Sequence, residues 1–288
     1  MIILCADDYG LTEGVSRAIG ELAAARRLSA TSVLVTSAHW PASAPRLLVH
    51  RGRLSIGLHL DLTLGPPLGR LRRIAPKGSF LGLKSLIPLA CLRLLEPTEL
   101  ADEVSRQLDA FEARLGFPPD HVDGHQHVHA LPQVRDVLIE VVARRYPDRP
   151  PMLRDPADSY QSIKARGEPA AKALLVHVLS RGFGAAVRAR GLPVNRGFSG
   201  FSGFDLKVPY EDELRRALAV TTAPHIVMCH PGHVDDDLRG RDPVVDRRKM
   251  EYGVLMRDPD LPTRIWRPSR SPTGPALDWR AIEEMAAA

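Results

Sequence analysis

Four histidines and an aspartate occupy alternate positions from His121 to His129 in the run HVDGHQHVH, which holds four of the chain's eleven histidines. A spacing of two puts side chains on one face of a strand, and a spacing of four puts them on one face of a helix. Neutral imidazole is the commonest metal ligand and a good acid or base near neutral pH. Such a cluster is costly as core, because every ring nitrogen needs a polar partner. Three further polar groups end apolar runs: Asp7-Asp8 after ILCA, His59 and Asp61 in GLHLDL, and His230 in IVMCHPGH.

Adjacent carboxylates on an extended segment diverge. One of Asp7 and Asp8 can therefore bind a metal while the other serves as general base. DDYG also suits a turn or cap before the next helix. His59 sits in an apolar strand beside Gly57, which allows close backbone approach. Asp61, on the same face, is a candidate acceptor for an imidazole. His125 follows Gly124, where the strand should end, and is the first choice of ligand within the cluster. His129 replaces it if the segment turns helical early. Asp123, His127 and His129 are otherwise supporting or substrate-contact candidates, and His121 is structural. His230 precedes Pro231-Gly232, a turn that would expose the ring, and suits a general acid. Arg154 could orient Asp7, meet a substrate oxygen, or lie on the surface. Tyr9, beside the acidic pair, is a candidate substrate contact. Two histidines and a carboxylate with open positions describe a catalytic metal site rather than a closed one. The nitrogen ligands suit zinc, while carboxylate and water also admit magnesium or manganese.

Short apolar runs alternate with helical patterns, and these must position the candidates. Strands are expected at residues 2–6, 31–36, 54–60, 121–125, 152–154, 194–195 and 225–229. Helices are expected at 14–27, near 42–50, and at 98–115, 131–145, 168–190, 211–219 and 244–256. Val15, Ile19 and Leu22 form the buried stripe of the first. Thr98 and Gly116 read as the caps of the third, and Pro132 as the start of the fourth. Residues 63–97, rich in Pro, Gly and Leu, read as a long loop or cap with a short helical piece. The βαβ order implies a mostly parallel sheet with helices outside, an irregular or incomplete (β/α) barrel. An open doubly wound sheet is the next reading. The polar clusters then meet at the carboxyl ends of the strands, the active face of such folds. One domain spanning 1–288 is the simplest organisation, with 158–190 as a helical insertion.

The 288 residues are 44% hydrophobic, enough for a sizeable core. The net charge of +5 comes almost wholly from arginine, with six lysines and no run of five basic residues. The footprint of a nucleic-acid groove is missing. Cys5, Cys91 and Cys229 form no CxxC pair and suggest neither a disulfide framework nor a thiolate zinc site. A cytoplasmic location is expected. The N-terminus lacks a basic region and turns acidic at Asp7, unlike a signal peptide. The run FLGLKSLIPLACLRLL is broken by Lys84 and Pro88 and is too short to span a bilayer.

Taken together, ADDYGLTEGVSRAI, IGLHLDLTLGPPL, DHVDGHQHVHALPQV and IVMCHPGHVDD resemble the YdjC-like carbohydrate deacetylases, in that family's order, from Ala6 to Asp237. The resemblance implies a deformed (β/α) barrel related to polysaccharide deacetylases. It also implies one divalent metal ion, Mg²⁺ or Zn²⁺, and hydrolysis of an N-acetyl group from a sugar. By motif, Asp8, His59 and His125 hold the metal, Asp7 is the base and His230 the acid. Gly124 and Gln126 stand where the family often has serine and histidine. Residues 158–190 and the tail after Asp258 match no family motif. The expected partner is a small acetylated sugar, with no nucleic acid and no membrane, and a homodimer is the assembly to look for. Two rival readings are a metal-dependent phosphoesterase, which would need more carboxylate ligands, and a sugar-binding protein without turnover.

Overall fold

The computed structural model describes residues 1–167, 170–220 and 222–269, together with Trp279, Ala281, Ile282 and Glu284. Its first half comprises β1 (Ile2–Tyr9), α1 (Glu13–Ala24), β2 (Ala30–Val33), α2 (Trp40–Leu48), β3 (Ser55–Leu60), α3 (Leu83–Cys91), α4 (Pro97–Leu115), β4 (His121–Gly124), a 3-10 segment (His125–Ala130) and α5 (Pro132–Arg145). There follow β5 (Met152–Leu153), α6 (Tyr160–Arg166), α7 (Ala170–Leu179), α8 (Phe183–Ala189), β6 (Gly197–Ser199), α9 (Tyr210–Ala217), β7 (His225–Cys229), α10 (Asp236–Arg241), α11 (Asp246–Arg257) and α12 (Leu261–Arg264).

The seven strands form one sheet in the order β5-β4-β3-β2-β1-β7-β6, and every pair is parallel. Val194 bridges Leu153 on β5, and three residues later Gly197 pairs with His225 on β7. Three residues of chain reach at most about 11 Å. The two edges of the sheet must therefore curl towards each other, which makes the sheet an incomplete barrel. Asn195 stitches this closure: its Oδ1 accepts from the Asp155 amide at 2.7 Å, and its Nδ2 donates to the Asp155 and Gly197 carbonyls. The expected strand at 194–195 is thus a single bridge, and the strand proper lies at β6.

Local chemistry explains most element boundaries. Thr12 caps α1 by accepting from the Val15 amide, and Val15, Ile19 and Leu22 are buried as their spacing predicts. Gly116 ends α4 in the left-handed region at φ 76°, a conformation that favours glycine. Thr98 does not cap α4. The helix begins one residue earlier, at Pro97, whose fixed φ and missing N–H suit a first helical position. Strand β4 stops at Gly124, and His125 opens the 3-10 segment. The helical stretch expected at 168–190 is two helices, α7 and α8, broken at Ser180–Gly182, and residues 168 and 169 lie outside the described residues. Most of the tail after Asp258, from residue 270 onward, also lies outside them.

Strand register sets the site. His59 pairs with Asp123, Leu60 with Gly124, and Ala6 with Cys229. The residues that follow Ala6, Leu60 and Cys229 therefore emerge at one rim.

Candidate active site

Asp7 and Asp8 sit in a bulge of β1, where the register with β2 shifts between Ala6 and Tyr9. Asp8 has φ 71°, in the left-handed region. That conformation costs of order 1–3 kcal/mol in a non-glycine residue and persists only where surrounding contacts enforce it. Six non-glycine residues among those described have positive φ, and four of them (Asp8, Gln126, His127 and Phe204) line one cleft of about 540 Å³. Backbone strain is thus concentrated at the strand ends that carry the candidate residues.

Asp8 divides its two oxygens. Oδ1 lies 3.0 Å from His125 Nδ1 and 3.3 Å from His59 Nε2, while Oδ2 accepts from Arg248 at 2.6 Å. His59 is oriented from behind, its Nδ1 lying 2.6 Å from Asp123 Oδ1. Burial disfavours a charged His59, but Asp123 and Asp8 outweigh it and push the imidazole up to about 10. Burial likewise opposes the charged form of His125, and Asp8 raises it. Burial also works against the Asp8 carboxylate, yet Arg248 and His125 hold it well below the usual range.

The donor atoms of Asp8, His59 and His125 lie within 4.8 Å of one another. Ligand bonds of about 2.0–2.2 Å put neighbouring donors roughly 3 Å apart, and Asp8 Oδ1 stands 3.0 and 3.3 Å from the two imidazole nitrogens. Two imidazoles and a carboxylate, all lining the cleft, fit one divalent ion with room for water. Two other groupings are close enough to hold an ion, Cys5/His121/Asp123 and Asp7/His59/Asp123. An arginine stands in both. Arg154 donates to Asp7 Oδ2 at 2.7 Å, to Asp7 Oδ1 at 2.8 Å and to Cys5 Sγ at 3.0 Å, and it pairs with Asp123 Oδ2. That fixed cation fills the space an ion would need.

Arg154 is fully buried, so the surface alternative for it is excluded. Ser32 joins the same network and donates to Asp123 Oδ2 at 2.5 Å. His121 is enclosed between Ser32 and Ser55, and its ring fills the space that a side chain at Gly57 would need. Burial pushes it down to about 4, which suits a neutral structural histidine.

His230 follows β7 and lines the cleft. Its backbone N–H donates to buried Glu251 at 2.5 Å. Burial, reinforced by Arg248 and opposed by Asp8, pushes the imidazole down to about 4. His230 is therefore neutral at pH 7.

The remaining candidates separate. His129 turns away from Asp8: its Nε2 lies 2.7 Å from the Arg154 carbonyl and its ring meets Phe183. The 3-10 segment that begins at His125 is kinked by left-handed backbone at Gln126 and His127, and it brings no ligand from His129. His127 lines the cleft with its ring packed edge-on against Phe198 and Phe201. Asp61 acts on His125 through its charge but makes no hydrogen bond to an imidazole among the described residues. It accepts from the Thr63 and Leu64 amides and from Thr36, and so pins the start of the following loop, while Asp123 takes the role expected of it. Tyr9 does not reach the cleft. The bulge at Asp8 turns it into the helix layer, where its hydroxyl donates to the Ser43 carbonyl at 2.9 Å. Sequence reasoning missed Ser32, Arg248 and Glu251, and also Lys172, which lines the cleft. The pattern of α11 gives no sign that Arg248 and Glu251 are buried, because their partners come from distant segments.

A family model described as YdjC-like protein matches residues 1–263. The human carbohydrate deacetylase is 33% identical over 146 residues, covering 49% of this chain and 45% of that protein. The chitooligosaccharide deacetylase of Yersinia pestis (strain Pestoides F) is 34% identical over 134 residues, covering 46% of this chain and 52% of that protein. The chain thus spans about half the length of the curated relatives it matches. Its fold resembles a crystal structure from Enterococcus faecalis V583, a protein assigned provisionally to cellobiose-phosphate cleavage. The TM-score is 0.71 at 20% identity, over 98% of both chains.

Proposed function

This chain belongs to the YdjC-like family, and we propose that it hydrolyses the N-acetyl group of an acetylated amino sugar or chitooligosaccharide-like substrate. One observation carries the reading. Asp8, His59 and His125 converge on a single cleft that Asp7 and His230 also line. The deacetylase names of the relatives support the same chemistry. The cleft volume lies in the range of small-molecule sites, about 300–1,000 Å³.

Asp8, His59 and His125 would hold one divalent ion, Zn²⁺ or Mg²⁺, with the two imidazoles favouring Zn²⁺. Such an ion supplies Lewis acidity towards an acetyl carbonyl and lowers the pKa of water. Asp7, held on both oxygens by Arg154, cannot swing towards the ligands. It keeps its remaining lone pairs for the proton of the attacking water. Amide hydrolysis moves that proton to the departing amine. His230, neutral at the outset, is the group that can take up a proton at the rim and return it to the nitrogen. Phe204, whose ring centroid lies 5.9 Å from that of His230, limits the rotation of the imidazole.

A phosphoesterase built on two ions is disfavoured, since Arg154 stands where the second would sit. We assign the catalytic domain to residues 1–288, with 158–190 as an insertion whose helix α7 walls the cleft through Leu175, Val176 and Leu179. No helix among the described residues is long and apolar enough to cross a membrane. A cytoplasmic location and a homodimer complete the proposal. The test is acetate release from N-acetylated chitooligosaccharides with Zn²⁺, Mg²⁺ or Mn²⁺ supplied in turn. Release with at least one ion is expected, and none across a broad panel of acetylated sugars would overturn the reading.

A further inference from the structure

Asp8 gives one oxygen to the two imidazoles and the other to an arginine 240 residues away. Arg248 is fixed on three sides. Its Nε donates to the Val244 carbonyl at 3.1 Å, and its Nη2 reaches both Asp8 Oδ2 and Asp242 Oδ2. Its own carbonyl accepts from the Gly232 amide at 3.0 Å, in the turn that carries His230. The residue is buried, so these bonds are not shared with bulk water. Asp123 shows the same division: Oδ1 faces His59, while Oδ2 faces Arg154 and Ser32. Asp7, which makes no hydrogen bond to an imidazole among the described residues, has both oxygens on its arginine instead.

We propose that Arg248 is a positioning residue that makes Asp8 a one-oxygen ligand and withdraws charge from it. The inference rests on the metal-site reading above. A carboxylate free on both oxygens can chelate an ion through two bonds and donate more charge to it. Holding Oδ2 leaves Oδ1 alone for the ion and preserves an open position for water and substrate. Pairing with a buried cation also lowers the negative charge the ion meets. Arg248 therefore trades affinity for an open, more electrophilic site. Asp242 competes for the same Nη2 and weakens the grip of Arg248 on Asp8.

Two substitutions move the metal affinity in opposite directions. Arg248→Met frees Oδ2 and should tighten Zn²⁺ binding about tenfold while lowering acetate release. Asp242→Asn removes the competitor and should weaken Zn²⁺ binding. Zn²⁺ titration calorimetry on the full chain reads both. Co²⁺ substitution gives a second signature: the added oxygen in Arg248→Met should reduce the intensity of the visible Co²⁺ bands, as a higher coordination number does. A merely structural arginine would produce a weaker site, a lower melting temperature and unchanged Co²⁺ bands per bound ion. Unchanged affinity in both variants, or weaker binding in a folded Arg248→Met protein, overturns the proposal. Should Arg248→Met fail to fold, Asp242→Asn decides: weaker binding supports the proposal, and equal or tighter binding overturns it. A wild-type chain that binds neither ion overturns the metal-site reading itself, and this inference with it.

Discussion

Asp7 and Asp8 are neighbours in the chain, yet their carboxylates are gripped by different arginines, Asp7 by Arg154 and Asp8 by Arg248. The bulge in β1 and the positive φ of Asp8 separate them. Asp8 meets both imidazoles directly, whereas Asp7, although within 4.8 Å of a His59 nitrogen, is bonded on both oxygens by Arg154. The proposed division between a metal ligand and a base thus has a backbone cause.

Arg154 neutralises both Asp7 and Asp123 and is itself fully buried. Replacing it by methionine leaves two buried carboxylates without their cation. Removing one partner of such a pair typically costs about 3–5 kcal/mol. Urea unfolding of Arg154→Met should show a loss of that order. A loss below about 1 kcal/mol would mean that the network is hydrated or carries less charge than its geometry implies.

The strand-end residues were legible because each follows an apolar run. ILCA before Asp7, GL before His59 and IVMC before His230 mark strands, and a parallel sheet carries all such ends to one rim. Arg154 was legible as a partner of Asp7, but Arg247 and Arg248 were not legible as partners of anything. Arg247 and Arg248, in the charged stretch DRRKMEYG, look like the solvated face of a helix. They are buried because Glu213, Asp8 and Asp242 arrive from other elements, and local pattern carries no record of that. Tyr9 departs from its expected place for a related reason. Proximity in sequence to a site residue does not fix direction, and a single bulge at Asp8 was enough to send Tyr9 into the core.

Metal binding should release protons. In the ion-free protein His59 is pushed up to about 10 and His125 is also raised, so at pH 8 His59 carries a proton shared with its carboxylate partners. Divalent ions bind neutral imidazole. Zn²⁺ titrations at pH 8 in buffers of different ionisation enthalpy should therefore report release of about one proton or more per ion. Buffer-independent heats, meaning no release, would contradict the double carboxylate grip on His59.

Glu251 offers a separate pH test. Burial raises its carboxyl to about 7, against the opposing His230 amide and Arg248. An unfolded glutamate titrates near ~4.3. Between those values the folded protein binds more protons, so this group's contribution is full below ~4.3 and is lost as pH rises through 7. The gap corresponds to roughly 4 kcal/mol as an upper bound. Glu251→Gln keeps an acceptor for the His230 N–H and removes the titration. The wild type should lose more stability than Glu251→Gln between pH 5 and pH 8, and parallel stability curves would count against a buried, protonated Glu251.

The most direct measurement determines bound metal and acetate release on the same preparations of wild type, Asp7→Asn and His125→Ala. About one ion per chain is expected in the wild type and in Asp7→Asn, with acetate release in Asp7→Asn reduced by ~10²–10⁴. His125→Ala should lose both the ion and the activity. Full activity in Asp7→Asn, or an undiminished ion in His125→Ala, would contradict the proposed roles of these residues.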